Sequence, residues 1–133
     1  MADRECVAVI NTTPDAVDLL KDVLERAGFV VVTAFTWEIQ RGDVNLEAFL
    51  RMSRPKVIVY DIAPPYDRNW TFLQHLRTTV LKDHTFVLTS VNAKHVERLV
   101  GKDERVYEVV GKAEDLDLIV RATKEAMRLR PLS

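Results

Sequence analysis

Five short apolar blocks, rich in β-branched residues, recur along the chain with helix-length segments between them: CVAVI (6–10), FVVVTAF (29–35), VIVY (57–60), TFVLTS (85–90) and VYEVV (106–110). This alternation constrains the fold more than any other feature. Blocks with so little polar alternation read as strands buried on both faces. Strand, helix, strand in repeating order means a parallel sheet, because a right-handed crossover returns the chain to the same edge each time. The expectation is a single α/β domain over residues 1–133, a doubly wound five-stranded parallel sheet with helices on both faces. A chain of 133 residues can bury a core without disulfides or metal to hold it.

The clearest helix lies in TPDAVDLLKDVLERAG. Thr13 is placed to cap it, Pro14 suits the first helical position, Val17, Leu20, Val23, Leu24 and Ala27 form one face, and Gly28 ends it. Further helices are expected over 45–52, 69–81, 92–100 (ending at Gly101) and 114–130, the last with Leu116, Ile119, Val120 and Met127 on its apolar face. The first and last helices are amphipathic and are expected to cover the two faces of the sheet. The segment 36–44 is the least regular, and Trp37 within it is expected to pack over the second strand.

Charge narrows the function. The 19 Lys+Arg and 20 Asp+Glu nearly cancel, and no stretch carries the basic stripe that a phosphate backbone demands, so nucleic acid is not expected as a partner. The N-terminus opens charged, MADRE, and no apolar run approaches the ~20 residues of a membrane span. The one cysteine, Cys6, sits inside an apolar run and has no intrachain partner, which suits a reducing cytoplasm. His75, His84 and His95 lie on three different elements and lack the spacing of zinc ligands.

In a doubly wound sheet the crevice at the carboxyl ends of the strands is the default site. The residues that end the strands are Asn11 and Thr12 after the first, Asp61 after the third, Thr89 and Ser90 after the fourth, and Lys112 after the fifth. An acid, a hydroxyl and an amine thus converge on one edge. Each also has a plain structural explanation as a turn, cap or solvated residue.

As a set, these residues resemble the receiver domain of two-component response regulators, and the resemblance covers nearly the whole chain. It rests on Asp61 followed four residues later by Pro65 and then by LQHLR, on VLTS with Thr89, and on VVGKAEDLDLIV with Lys112. It implies a CheY-like, flavodoxin-like strand order 2-1-3-4-5, Asp61 at the phosphoacceptor position, and Thr89 and Lys112 at the positions that contact the phosphoryl group and report it. The departures are equally specific. Asn11 and Thr12 stand where the family has an acidic pair, Ala113 where a proline follows the lysine, Val109 where an aromatic precedes it by three, and Asn69 where the usual glycine falls. With no proline at 113, the 112–113 peptide bond is expected to be trans.

Those departures bear on chemistry. Phosphoryl transfer to a carboxylate requires charge neutralisation, which receivers obtain from Mg²⁺, a cation that prefers hard anionic oxygens. Three carboxylates and one lysine carry 1 − 3 = −2; Asp61 and Lys112 alone carry 1 − 1 = 0. Each lost charge pair is worth about 4 kcal/mol at ~4 Å and an effective dielectric near 20. Asp15 and Asp67 are candidate substitutes, although each also suits the first turn of a helix or the turn before one. In PPYDRNW, Tyr66 and Trp70 are expected at the rim of the crevice as partner contacts.

The reading is therefore an atypical receiver, or pseudo-receiver: a stand-alone, non-enzymatic cytoplasmic signalling domain with no cofactor. It would act through a protein partner, a histidine kinase or a downstream signalling protein, since the chain ends at RLRPLS. The first alternative is a working phosphoacceptor in a phosphorelay, which alone would use Mg²⁺. The second is a flavodoxin-like small-ligand binder, against which stand the absence of a glycine-rich phosphate loop and a total of 4 glycines.

Overall fold

The computed structural model describes residues 5–81, 84–103, 105–111 and 116–128. Its order is β1 (Cys6–Asn11), α1 (Pro14–Arg26), β2 (Val30–Phe35), α2 (Thr36–Arg41), α3 (Leu46–Ser53), β3 (Val57–Asp61), α4 (Tyr66–Arg77), β4 (Thr85–Thr89), α5 (Ala93–Val100), β5 (Val106–Val110) and α6 (Leu116–Met127). The five strands form one sheet in the order β2-β1-β3-β4-β5, all pairs parallel. This is the doubly wound parallel sheet expected from the alternation of blocks, in the flavodoxin-like strand order that the family resemblance implies.

The strands explain why the blocks lack polar alternation: both faces are buried, and the period of two sorts side chains by size. Val7 and Val9, Val57 and Val59, and Val87 point to one face with α1 and α6. Ala8 and Ile10, Ile58 and Tyr60, and Phe86 and Leu88 point to the other, beneath α3, α4 and α5. The first and last helices therefore share a face, where opposite faces were expected. Leu20 and Leu24 of α1 meet Ile119, Ala122 and Ala126 of α6 there.

Two other expectations are corrected. Segment 36–44, expected to be irregular, contains α2, whose first turn is held by the Glu38 carboxylate accepting the Phe35 N–H at 3.0 Å. Trp37 does pack on β2, stacking on Phe35 at 5.3 Å with the Arg41 guanidinium 5.4 Å from its ring, yet it stays 41% exposed. Helix α4 begins at Tyr66 and ends at Arg77, not 69–81. Asn69, read as the helix start, instead donates its side-chain amide to the Ala63 carbonyl at 2.6 Å and ties the helix to the loop before it. At the other end the Thr78 and Thr79 hydroxyls donate back to the His75 carbonyl and the chain leaves the helix. Helix α1 matches its expected span, with Ala27 in the capping position and Gly28 following at φ +102°, a conformation that favours glycine.

Candidate functional site

Strand parity builds the site. Asn11, Asp61 and Thr89 continue the Val7/Val9, Val57/Val59 and Val87 rows, so all three side chains reach the carboxyl edge on the α1/α6 face. Asp61 and Thr89 are direct register partners across β3 and β4. With Asn11, they line a crevice of about 280 Å³ that also takes in Thr12 and Ser90. The acid and the hydroxyl expected to meet at the strand ends do meet: Thr89 Oγ1 donates to Asp61 Oδ1 at 2.8 Å.

Neighbouring backbone bonds hold this edge. The Ile62 N–H donates to the Thr89 carbonyl at 2.8 Å, and the Ser90 hydroxyl donates to the Ile62 carbonyl at 3.0 Å. Ser90 Oγ in turn accepts the Asn92 N–H at 3.2 Å, so the turn after β4 is fixed to the turn after β3. Burial pushes the Asp61 carboxyl above the usual aspartate range, and the Thr89 hydrogen bond offsets this only in part. Tyr60, one residue earlier, turns to the opposite face, where burial and then the Asp61 charge push its phenol up.

The donor set around Asp61 does not suit Mg²⁺. Asn11 stands at the end of β1, but its Oδ1 already accepts the Thr12 N–H at 2.6 Å, leaving a neutral oxygen committed to its own turn. Among the described residues no three His, Cys, Asp or Glu side chains come together. Asp15 is exposed in the first turn of α1 and is not among the crevice-lining residues. Asp67 is exposed and faces away to His95, whose Nε2 lies 3.1 Å from its Oδ1. Lys112 and the 112–113 peptide bond lie outside the described residues, while Gly111, which precedes them, lines the crevice.

The aromatic pair Tyr66 and Trp70 divides. Tyr66 is half-buried, with its ring centroid 5.3 Å from that of His95. Trp70 is 5% exposed and packs inside the core, which corrects its expected place at the rim. Two turns of α4 later, Arg77 explains why: its guanidinium lies 5.6 Å from the Trp70 ring and 5.4 Å from the Phe86 ring, and ion-pairs with Asp103 at 2.7 Å. This buried arginine gave no signal in the sequence, since LQHLR reads as an ordinary helix surface.

The end of β5 also departs from expectation in an informative way. Pairing slips between Phe86 and Val87, which face Val106 and Glu108, so Tyr107 is the extra residue of a bulge. Tyr107 packs with the α1/α6 core and donates to Glu125 at 2.6 Å, a bond that raises its phenol. Val109 faces the opposite side with α5.

No known family profile matches the sequence, and no curated protein matches it. Solved structures do. A response regulator from Thermotoga maritima matches with a TM-score of 0.72 and 16% identity, over 96% of this chain and 100% of that one. The fold is that of a response-regulator receiver domain. A sensor protein from Polaromonas sp. JS666 matches with a TM-score of 0.72 and 21% identity over 94% of this chain and 97% of its own. The response regulator TrrA of Thermotoga maritima, solved in complex with Mg²⁺-BeF, matches at 0.67 and 20% identity over 92% and 98%. On this receiver fold, no helix among the described residues is long and apolar enough to cross a membrane.

Proposed function

We propose that this is an atypical receiver-like signalling domain that works through protein contacts, with Asp61 at the phosphoacceptor position and weak Mg²⁺-dependent phosphorylation. It is not an enzyme, and its partner is a protein, a histidine kinase or a downstream signalling protein. The observation that supports this most is the state of Asn11. Its oxygen is turned onto the Thr12 N–H, so Asp61 has a hydroxyl neighbour in Thr89 but no second carboxylate with which to hold a cation.

Lys112 is assigned to the phosphate-contacting position with Thr89, and Asn11 and Thr12 to the vacated acidic pair. Tyr66 remains a partner-contact residue, since its half-buried ring sits with His95 between the start of α4 and α5. The rival reading, a working phosphoacceptor, draws on the same Asp61–Thr89 pair and predicts the opposite result on metal addition. A titration of the ¹⁵N-labelled protein with MgCl₂ tests the two. The expected result is no saturable shift at the Asn11, Thr12 and Ile62 amides at millimolar Mg²⁺, and a saturable shift that disappears in Asp61→Asn would overturn the proposal.

A further inference from the structure

Two loops leave the strand ends beside Asp61, residues 62–65 between β3 and α4 and residues 90–92 between β4 and α5. A closed circuit of hydrogen bonds joins them, with Ser90 as its hub. The Ser90 hydroxyl, on a residue only 2% exposed, donates to the Ile62 carbonyl at 3.0 Å and accepts the Asn92 N–H at 3.2 Å. From Asn92 the circuit enters α5, where the Asn92 Oδ1 accepts the His95 N–H at 3.3 Å, and the His95 ring then meets Asp67 of α4 at 3.1 Å. It returns along α4: Asn69 donates its side-chain amide to the Ala63 carbonyl at 2.6 Å, and Ala63 follows Ile62 in the chain. Other contacts stiffen both loops. Pro64 and Pro65 fix two backbone angles of the first. Ile62 is fully buried, with its N–H held by the Thr89 carbonyl at 2.8 Å, and the Ser90 N–H donates to the Val110 carbonyl of β5 at 3.2 Å. Side-chain packing contributes little to the second loop, since Val91 is 68% exposed.

We infer that Ser90 locks the starts of α4 and α5 into one rigid body, so that the surface they carry, with Tyr66 and His95 on it, keeps one shape whatever the state of Asp61. A change at Asp61 is felt first by the Thr89 hydroxyl that donates to it. From Thr89 the chain leads to α5 through residues 90–92, and Ser90 fastens that turn to the proline-stiffened loop opposite. A fully satisfied hydrogen-bond network with a buried hub rigidifies the segments it joins. A partner reading this surface meets it preformed and spends no binding energy on ordering the loops. The inference rests on the reading above in one respect, that Asp61 is the position at which a receiver-like input would act.

The test is a double-mutant cycle read by the amide shifts of the full ¹⁵N-labelled chain. Asp61→Ala removes the acceptor of the Thr89 hydroxyl. In the otherwise wild-type chain it should shift the Thr12, Ile62 and Thr89 amides at the crevice and leave those of Lys94, His95 and Val96 in place. In a Ser90→Ala background the same substitution should shift the three α5 amides at least about threefold more than it does in the wild-type background. Ser90→Cys, closer in volume but only a weak donor and acceptor, should give the same release and serves where Ser90→Ala does not fold. Movement of the α5 amides with Asp61→Ala alone overturns the inference without any Ser90 variant. Equal, small α5 shifts with and without the Ser90 hydroxyl overturn it as well, since packing would then hold the helix unaided. No arm uses a metal or a phosphodonor, so the two proposals fail separately: saturable Mg²⁺ binding at Asp61 defeats the functional reading, and movement of α5 in Asp61→Ala with the MgCl₂ titration flat defeats only this one.

Discussion

Asp61, half-buried at the crevice, and Arg77, buried in the core, are two charges handled in opposite ways. Asp61 is partly shielded from water and has one hydroxyl donor, so its folded form holds a proton more tightly than its unfolded form does. Its contribution to stability is therefore fully present below the ordinary aspartate pKa of about 3.9 and is lost as pH rises through the higher folded value. Asp61→Asn, which can still accept from Thr89, should raise the melting temperature at neutral pH, with a gap that narrows as the pH is lowered toward 4. A variant less stable than wild type at neutral pH would show that the carboxylate is better compensated than burial implies. Arg77 is instead paired with Asp103 and lies over the rings of Trp70 and Phe86. Asp103→Ala leaves the guanidinium buried without its counter-charge and should cost about 3 kcal/mol in urea unfolding. Arg77→Met should cost clearly less, because Asp103 retains the Arg105 N–H at 3.0 Å and some solvent access. The acid at 61 and the hydroxyl at 89 were legible because strand ends are where parity and topology deliver side chains. Arg77 was not, because nothing in a helix-surface pattern says that a long cation will fold under its own helix.

Elements were legible where one period dominated. Helix α1 carries a proline, an apolar stripe and a following glycine, and its bounds match the sequence signals. Helix α2 has six residues, too few to show a period, and its start depends on a Glu38 side chain reaching back to Phe35. The start of α4 was misplaced because two prolines, an acid and an asparagine imitate a turn, whereas Asn69 spends its amide on Ala63. Caps were less legible: Thr13 stands at the N-cap of α1 without a side-chain hydrogen bond, whereas Asn92, expected inside the helix, caps α5 with its Oδ1 accepting the His95 N–H at 3.3 Å, and Asn92→Ala should cost about 1 kcal/mol. Strand β5 carries the functional consequence. Its bulge sends Tyr107 to Glu125 on α6 and leaves Val109, without a ring, on the α5 side. Tyr107→Phe should remove one raised phenol from the tyrosine absorbance titration, while leaving amide shifts in α5 unchanged. Movement of α5 in that variant would mean that Tyr107 reports on the opposite face after all.

At the scale of the molecule the topology was the most legible feature, because five doubly buried blocks in alternation with helices admit few arrangements. Which helices share a face was not legible, since amphipathicity shows that a helix covers something but not what. The receiver fold brings Asn11, Asp61 and Thr89 to one crevice, and we propose that the uncharged Asn11 and Thr12 set what that crevice can hold. Restoring both acids, Asn11→Asp with Thr12→Asp, should create Mg²⁺ affinity at least about tenfold above wild type, on the strength of charge pairs worth about 4 kcal/mol each. The most direct test of the account is the intact mass of the wild-type chain after incubation with acetyl phosphate and Mg²⁺. The account predicts little or no species heavier by one phosphoryl group, and stoichiometric addition that is abolished in Asp61→Asn would contradict it.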